Sequence, residues 1–267
     1  MCSAPWRIVR ASAIGSSHIV GGVPCQDFAL HCLIESARDG DVLIAVISDG
    51  AGSAEQASVA SSTACHALVA HVQKFIAGGG SVYSLKRQQV EQWVKQIAQQ
   101  LEKDAHASGH HVRDYACTLL AAIVADDAAA FLQIGDGAIV TSHGEEDGWS
   151  WVFWPQHGEF ANTTNFIVSE NAVQVLEFDL APRRIEEIAL FTDGIENLVL
   201  HHGNKAVHHP FFNALVKPIR SSTVYGYDQD LSEKLAAYLG SPAFCERSDD
   251  DRTLLIASRK AHFGEVP

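Results

Sequence analysis

The sequence predicts an α+β fold built in layers. Segments with strand character come as β-hairpins, two amphipathic helices come early, and further helices come near the end of the chain. A doubly wound parallel sheet would instead alternate strand and helix. No repeat, low-complexity tract or long linker interrupts the pattern, so we expect a single domain over residues 1–267.

The composition is that of a globular chain, with 47% hydrophobic residues and a net charge of −13. That charge argues against nucleic acid as a partner, because a phosphate backbone would be repelled. The six cysteines form no Cys-x-x-Cys pair, which argues against a zinc site or a disulfide framework. No apolar run approaches the roughly 18 residues of a membrane span, and the first residues lack signal-peptide character. We therefore expect a cytoplasmic protein without a membrane partner.

The elements follow from hydrophobic periodicity, taken in chain order. Strands are predicted at residues 7–13, 28–34, 42–48, 115–124, 128–134, 139–141, 149–154, 172–178 and 253–258. Helices are predicted at residues 53–77, 84–107, 211–219 and 228–239. The strand at 42–48 is apolar on both parities, which is typical of a strand buried on both faces. Residues 14–27 are predicted as a glycine-rich loop, and residues 155–165 as a polar loop or lid.

Aspartates recur where these apolar strands end. Asp49, Asp136 and Asp193 each follow an apolar run and precede a glycine, and Asp250 lies just before the last strand. One such pair alone indicates an ordinary turn, but the recurrence predicts an acidic cluster at one edge of the core. Clustered carboxylates repel one another and require cations, and hard oxygen ligands favour Mg²⁺ or Mn²⁺. Gly50 would leave its carbonyl open to a ligand.

Several features have a second interpretation from the residues alone. Asp27, at a strand start, is either a member of this cluster or a solvated turn residue. The histidines at residues 201–209 favour a surface loop over a metal site, because no carboxylate or cysteine completes a ligand set. The aromatic segment at 149–154 favours a strand covered on both faces over a stacking platform for bases.

Six short motifs occur in an order that resembles the metal-dependent, type 2C serine/threonine protein phosphatases. They are Gln26-Asp27, Ser48-Asp49-Gly50-x-Gly52, Cys117-Thr118-Leu119, Ile134-Gly135-Asp136-Gly137, Thr192-Asp193-Gly194 and Asp250-Asp251-Arg252-Thr253. The set spans residues 14–258 and is closest to compact bacterial members, including the stretch at residues 158–162. The resemblance implies a four-layer α-β-β-α sandwich of two antiparallel sheets.

The resemblance also implies the ligands of two Mn²⁺ or Mg²⁺ ions and a third, weaker ion: Asp27, Asp49, the Gly50 carbonyl, Asp136, Asp193 and Asp250. Asp49 would bridge the first two ions, and Asp136 would hold the third. Asp251 would support Asp250 without itself binding an ion. Asp49, Asp193 and Asp250 would then be the catalytic residues, acting through a metal-bound water that attacks the phosphate in line.

Two departures from the family pattern bear on function. Gly22 stands where the family often has a phosphate-binding arginine, which leaves Arg7, Arg10 or His18 as candidate phosphate ligands. Ala51 stands where eukaryotic members often have a histidine. The stretch between Asp136 and Asp193 also differs from the usual flap, so the substrate is left open.

The favoured function is a phosphatase acting on phosphoserine and phosphothreonine, with a phosphoprotein substrate and a cognate kinase. The alternative is a catalytically silent, metal-binding regulatory domain of the same fold, which the missing arginine supports and the intact acidic positions oppose. A phosphatase with an aspartyl-phosphate nucleophile would need a second aspartate two residues after the first, which both Asp49 and Asp193 lack.

Overall fold

The structure, a computed structural model, describes residues 5–142, 148–156 and 164–260. The strands of these residues are β1 (Arg7–Ala13), β2 (Phe28–Ser36), β3 (Gly40–Ser48), β4 (Leu119–Val124), β5 (Ala129–Ile134), β6 (Ala138–Ser142), β7 (Ser150–Trp151), β8 (Glu177–Ala181), β9 (Glu187–Phe191), β10 (Leu200–His201), β11 (Ala206–Val207), β12 (Gly226–Tyr227) and β13 (Arg252–Ser258). The helices are α1 (Ser16–Gly21), α2 (Ala57–Ala77), α3 (Arg87–Ser108), α4 (Ala172–Val175), α5 (Asp193–Val199), α6 (His209–Arg220), α7 (Gln229–Leu239) and α8 (Pro242–Cys245). Two 3-10 turns, Val82–Ser84 and Val112–Tyr115, precede α3 and β4.

Two sheets pack face to face. The first has the order β12-β1-β13-β9-β6-β7, and its pairs are antiparallel except for β1 with β12. The second is the antiparallel sheet β2-β3-β4-β5-β8. Helices α2 and α3 cover the second sheet, and α5, α6 and α7 cover the first. The predicted α-β-β-α sandwich is confirmed.

Strand β3 illustrates why the core has three layers of apolar contact. Successive side chains of a strand point to opposite faces. Val42, Ile44 and Val46 pack under α2 and α3. Leu43, Ala45 and Ile47 pack between the two sheets. Each large aliphatic side chain buried in this way stabilises the fold by about 1.5–3 kcal/mol.

Most predicted elements are observed, with ends that move by a few residues. The first strand, the hairpin of β4 and β5, strand β6, the last strand and the four predicted helices are all present. The predicted start of the first long helix at residue 53 is early, because residues 50–56 form turns and α2 begins at Ala57.

Three local predictions are wrong. The loop at residues 14–27 contains helix α1, which has no buried residue and so carries no hydrophobic periodicity. Residues 172–178 form helix α4 and only the start of β8, since a short apolar run does not distinguish helix from strand. The aromatic segment forms only the two-residue edge strand β7, and Trp151 is 39% exposed rather than covered.

Two further predictions concern the surface and the loops. The histidine-rich stretch lies at the surface, where His201 and His202 are exposed on the small hairpin β10–β11 and His209 begins α6. The family-like stretch at residues 158–162 and most of the lid predicted at 155–165 lie outside the described residues. In the part of the chain that the structure covers, no helix has both the length and the apolarity to cross a membrane.

Candidate active site

The strand ends bring the predicted aspartates to one edge of the sandwich. One carboxylate oxygen each from Asp49, Asp136 and Asp193 lies within 4.8 Å of the others. They line an open pocket of about 340 Å³, together with Asp250 and the residues Gly50, Ala51, Gly52, Ser53, Thr164 and Phe166. The acidic cluster inferred from recurrence in the sequence is therefore present as a cleft.

Strand register explains this convergence. In the second sheet, Phe28 is opposite Ser48, so Asp27 precedes one strand beside the point where Asp49 leaves the next. In the first sheet, Phe191 is opposite both Ala138 and Leu254. The neighbouring strands β6, β9 and β13 are therefore aligned at this end of the sheet. The adjoining residues Asp136, Asp193 and Asp250 lie at the same edge for this reason.

Thr118 holds the backbone of Asp49 in place. The Asp49 N–H donates to Thr118 Oγ1 (2.9 Å), and the Thr118 N–H donates to the Asp49 carbonyl (2.8 Å). The hydroxyl of Ser48 donates to the Thr118 carbonyl (2.5 Å). This arrangement gives a physical role to the central residue of the Cys117-Thr118-Leu119 motif.

Gly50 lies where no side chain fits. A Cβ atom added there would lie 2.7 Å from the Cβ of Ala57, at the start of α2. The glycine thus permits the helix to approach the strand end that carries Asp49.

Asp27 is buried and oriented by a threonine. Its Oδ2 accepts a hydrogen bond from Thr192 Oγ1 (2.7 Å), and Thr192 Oγ1 accepts one from the Thr253 N–H (3.0 Å). The other oxygen, Oδ1, is buried, and no donor among the described residues reaches it. A buried carboxylate oxygen of this kind is costly unless a cation or water satisfies it.

The pKa values of the clustered carboxyls also indicate a cation site. Burial raises the pKa of Asp27 to about 7 and that of Asp193 to about 8, where the charges of Asp136 and Asp250 add to the effect. Burial, and then the charges of Asp27, Asp193 and Asp136, also raises the pKa of Asp49 well above its usual range. The pKa of Asp250 is raised by burial as well. Carboxyls in this state take up protons or bind cations, and an all-oxygen donor set fits Mg²⁺ or Mn²⁺.

Asp251 does not line the pocket, and its carboxylate anchors the segment of residues 14–27. Its two carboxylate oxygens accept hydrogen bonds from the N–H groups of Gly15 and Gln26, at 2.6 Å each. Nδ1 of His18 lies 2.9 Å from Oδ2, an ion-pair distance without the geometry of a hydrogen bond. The Asp251 N–H donates to Asp250 Oδ1 (2.8 Å), which links this loop anchor to the pocket.

The structure does not bring the candidate phosphate ligands to the pocket lining. Arg7 donates to the Ser222 carbonyl (2.7 Å) and lies over the Tyr225 ring. Arg10 donates to the Ala29 carbonyl (2.6 Å), and His18 is engaged by Asp251. Gly22, at the position of the usual arginine, ends α1 with a φ of 65°, a conformation that favours glycine.

Comparison with known proteins identifies the family. The family model described as Protein phosphatase 2C matches residues 14–240. Serine/threonine-protein phosphatase 3 of Escherichia coli (strain K12) is 38% identical over 253 residues, which are 94% of this chain and 98% of that protein. The chain belongs to the protein phosphatase 2C family.

Solved structures agree on the fold of this phosphatase. A bacterial serine phosphatase superposes with a TM-score of 0.58 at 14% identity, covering 96% of this chain and 98% of its own. The serine/threonine phosphatase Stp1 from Staphylococcus aureus gives a TM-score of 0.56 at 15% identity, covering 94% of each chain.

These findings confirm the family, the fold and the activity class that the ordered motifs predict. The protein is a metal-dependent protein serine/threonine phosphatase. None of the findings favours the catalytically silent alternative.

Glu196 is a residue of the phosphatase site that the sequence analysis missed. It lies one helical turn after Asp193 on α5 and is only 4% exposed. Burial, and then the charge of Asp136, raises its pKa to about 8. The Asp193-x-x-Glu196 spacing places both carboxylates on one helix face and would have been a usable signal.

Thr164 is the second residue that was missed. Its hydroxyl donates to Oδ2 of Asp136, so it contacts one of the clustered carboxylates directly. It lies 28 residues from Asp136 in the sequence, and no sequence signal indicated the contact.

Proposed function

We propose that the phosphatase hydrolyses phosphoserine and phosphothreonine in proteins, with divalent ions held by the acidic cleft. The observation that carries this proposal is the approach of Asp49, Asp136 and Asp193 oxygens to within 4.8 Å of one another. The buried Asp27 oxygen without a donor supports it, since a cation or a cation-bound water would satisfy that atom.

The ligand set we propose is the one that the family resemblance implies: Asp27, Asp49, the Gly50 carbonyl, Asp193 and Asp250 for two ions, with Asp136 for a third. When bound, Mg²⁺ or Mn²⁺ ions would supply the positive charge that activates water and neutralises the phosphate oxygens. We propose Asp49, Asp193 and Asp250 as the catalytic residues for this reason.

The chain's own groups have positioning roles in this proposal. Thr118 would fix Asp49 through two hydrogen bonds, and Thr192 would orient Asp27. Asp251 would support Asp250 through the backbone and hold the loop that leads to Asp27. The pocket of about 340 Å³ has room for a phosphorylated side chain.

The test is phosphate release from a phosphothreonine peptide. We expect turnover with Mn²⁺, none with EDTA, and a loss of at least about a hundredfold in Asp49→Asn, which removes a ligand charge. Asp230→Asn, an exposed carboxyl on α7, is the matched control and should leave turnover unchanged. Folded protein that binds Mn²⁺ without turning over any phosphopeptide would instead support a silent regulatory domain.

Partners, extent and location complete the proposal. Because the reaction consumes phosphorylated protein, a serine/threonine kinase must supply the substrate, and we propose such a kinase as a cognate partner. A single domain over residues 1–267 is supported by β13, which lies between β1 and β9 although it follows the stretch matched by the family model. The cytoplasmic location remains a prediction from the sequence.

A further inference from the structure

We infer that the hairpin β10–β11, residues 200–207, forms with Trp154 a docking surface for acidic residues that flank the phosphorylated residue of the substrate. This basic hairpin has no part in the ligand set above. The inference rests on the proposed function, since it concerns how a phosphoprotein is held while its phosphate lies in the acidic cleft.

The basic hairpin adjoins the cleft through Trp154. The buried side-chain amide of Gln133 donates to the carbonyls of Gly137 (3.1 Å) and Trp154 (3.5 Å), so Trp154 lies against the turn that carries Asp136. The Trp154 ring is 5.6 Å from the ring of His202, on the hairpin.

A second connection runs through α5. Nε2 of His202 lies 3.2 Å from Oε1 of Glu196, which is one helical turn beyond Asp193. The tip of the hairpin is therefore next to the elements that supply two of the cleft carboxylates.

The charge of this surface is opposite to that of the chain. Acidic residues outnumber Lys and Arg by 32 to 19, yet residues 200–209 contain four histidines, one lysine and no acid. Residues 201–205 are all exposed. The Lys205 ammonium beside the reaction site attracts an acidic segment and repels a basic one.

Lys205 is held in a backbone conformation that a lysine seldom adopts. Its φ is 49°, the one positive value at a non-glycine residue in the part of the chain described. Gly203 and Asn204 lie in the same turn, and glycine and asparagine adopt a positive φ far more readily than lysine does. Such strain costs about 1–3 kcal/mol and persists where the surroundings hold it, often at a functional surface.

The contacts of Lys205 also position its ammonium group. Nε1 of Trp151 donates to the Lys205 carbonyl (2.8 Å). The Lys205 ammonium lies 5.8 Å from the centre of the Trp154 ring, a cation–π distance. The ammonium thus lies over the tryptophan beside the Asp136 turn, which lowers the ordering cost when a substrate binds.

An acidic segment is the occupant that these observations favour. The phosphorylated side chain would occupy the cleft in this proposal, and the neighbouring residues of the substrate would then lie along its rim. The contacts through Trp154 and through Glu196 place the basic hairpin on the side of Asp136 and Asp193. A carboxylate on that side would lie near the Lys205 ammonium, the one formal positive charge of residues 200–209.

The experiment compares two phosphothreonine peptides on the full-length protein with Mn²⁺, one with flanking glutamates and one with flanking lysines. The readout is the ratio of kcat/KM for the acidic peptide to that for the basic peptide. We expect a ratio above one in the native protein and a fall of about twofold to fivefold in Lys205→Gly, the range of a partly exposed ion pair. Glycine relieves the strained φ, so this variant tests the charge without a folding penalty.

Three further variants extend the test. Lys205→Arg should keep the ratio and Lys205→Glu should invert it, while Lys234→Gly, an exposed lysine on α7, should leave it unchanged. A ratio equal in native protein and Lys205→Gly would overturn the docking surface.

Failure of the proposed function is separable. It would appear as absent Mn²⁺-dependent turnover of p-nitrophenyl phosphate, a small substrate. The ratio of dissociation constants for fluorescent forms of the two peptides then gives the same comparison, and the same equality would again overturn the inference.

Discussion

Replacing Thr192 with valine isolates what holds Asp27 in the cleft. The hydroxyl of Thr192, only 1% exposed, makes two buried hydrogen bonds, one to Asp27 Oδ2 (2.7 Å) and one from the Thr253 N–H (3.0 Å). Valine has nearly the same volume and deletes both. A buried group left without its partner costs about 1–3 kcal/mol, so two such losses would reach about 2–6 kcal/mol. Asp27 can take up a proton when its donor is lost, which places our expectation at about 2–4 kcal/mol.

The assay is urea unfolding followed by tryptophan fluorescence in EDTA at pH 7. Thr192→Ser is the matched control, because it keeps the hydroxyl and loses one methyl group, at about 0.5–1.5 kcal/mol. With Mn²⁺ restored, Thr192→Val should also need more metal for half-maximal turnover than the serine variant. If the valine and serine variants unfold within about 0.5 kcal/mol of one another, the hydroxyl does not stabilise the site and the reasoning is refuted.

Two other predictions follow from the same cleft. The metal-free protein should lose stability as pH rises from about 4 to about 8. Burial raises the folded-state pKa of Asp27 to about 7 and that of Asp193 to about 8. The native state therefore binds more protons than the unfolded state in that pH range. Unfolding midpoints in EDTA across this range measure the slope, saturating Mn²⁺ should remove most of it, and stability that rises with pH would contradict the charge arrangement. Gly50→Ala should destabilise the protein by about 1–3 kcal/mol through overpacking, because the added Cβ would lie 2.7 Å from the Cβ of Ala57, whereas Gly52→Ala has nothing within 4 Å. Equal thermal midpoints for the two alanine variants would show that α2 shifts to accommodate the methyl group.

The phosphate ligand that replaces the usual arginine stays a prediction. Arg7 and Arg10 are two of its candidates, because Gly22 stands at the arginine's position. Both lie on β1, where their guanidinium groups donate to the carbonyls of Ser222 and Ala29. The cationic surface that we propose beside the cleft is the basic hairpin, which contacts Trp154 through His202, and no pattern near the motif indicates it.

The family and the architecture could be predicted because their signals are local. A strand buried on both faces, such as β3, shows consecutive apolar residues, here 42–47, and the sequence shows that directly. Asp49, Asp136 and Asp193 are each marked by the apolar strand before them and the glycine after them, whereas Asp250 lies just before a strand. Helix α1 and the short α4 could not be predicted, because one has no buried face and the other has only a single turn of apolar residues.

By itself, then, the sequence determined the layered fold, the family and the identity of the acidic residues, since burial and turn chemistry act on neighbours along one element. Only the tertiary structure decided which groups meet. The hydrogen bonds from Thr192 to Asp27 and from Gly15 to Asp251 join residues 165 and 236 positions apart. Such contacts depend on the register of strands that pair across the whole chain, and a one-residue slip would turn every side chain to the other face. The pKa values of the cleft, the place of Glu196 in it and the strained φ of Lys205 all arise at that level.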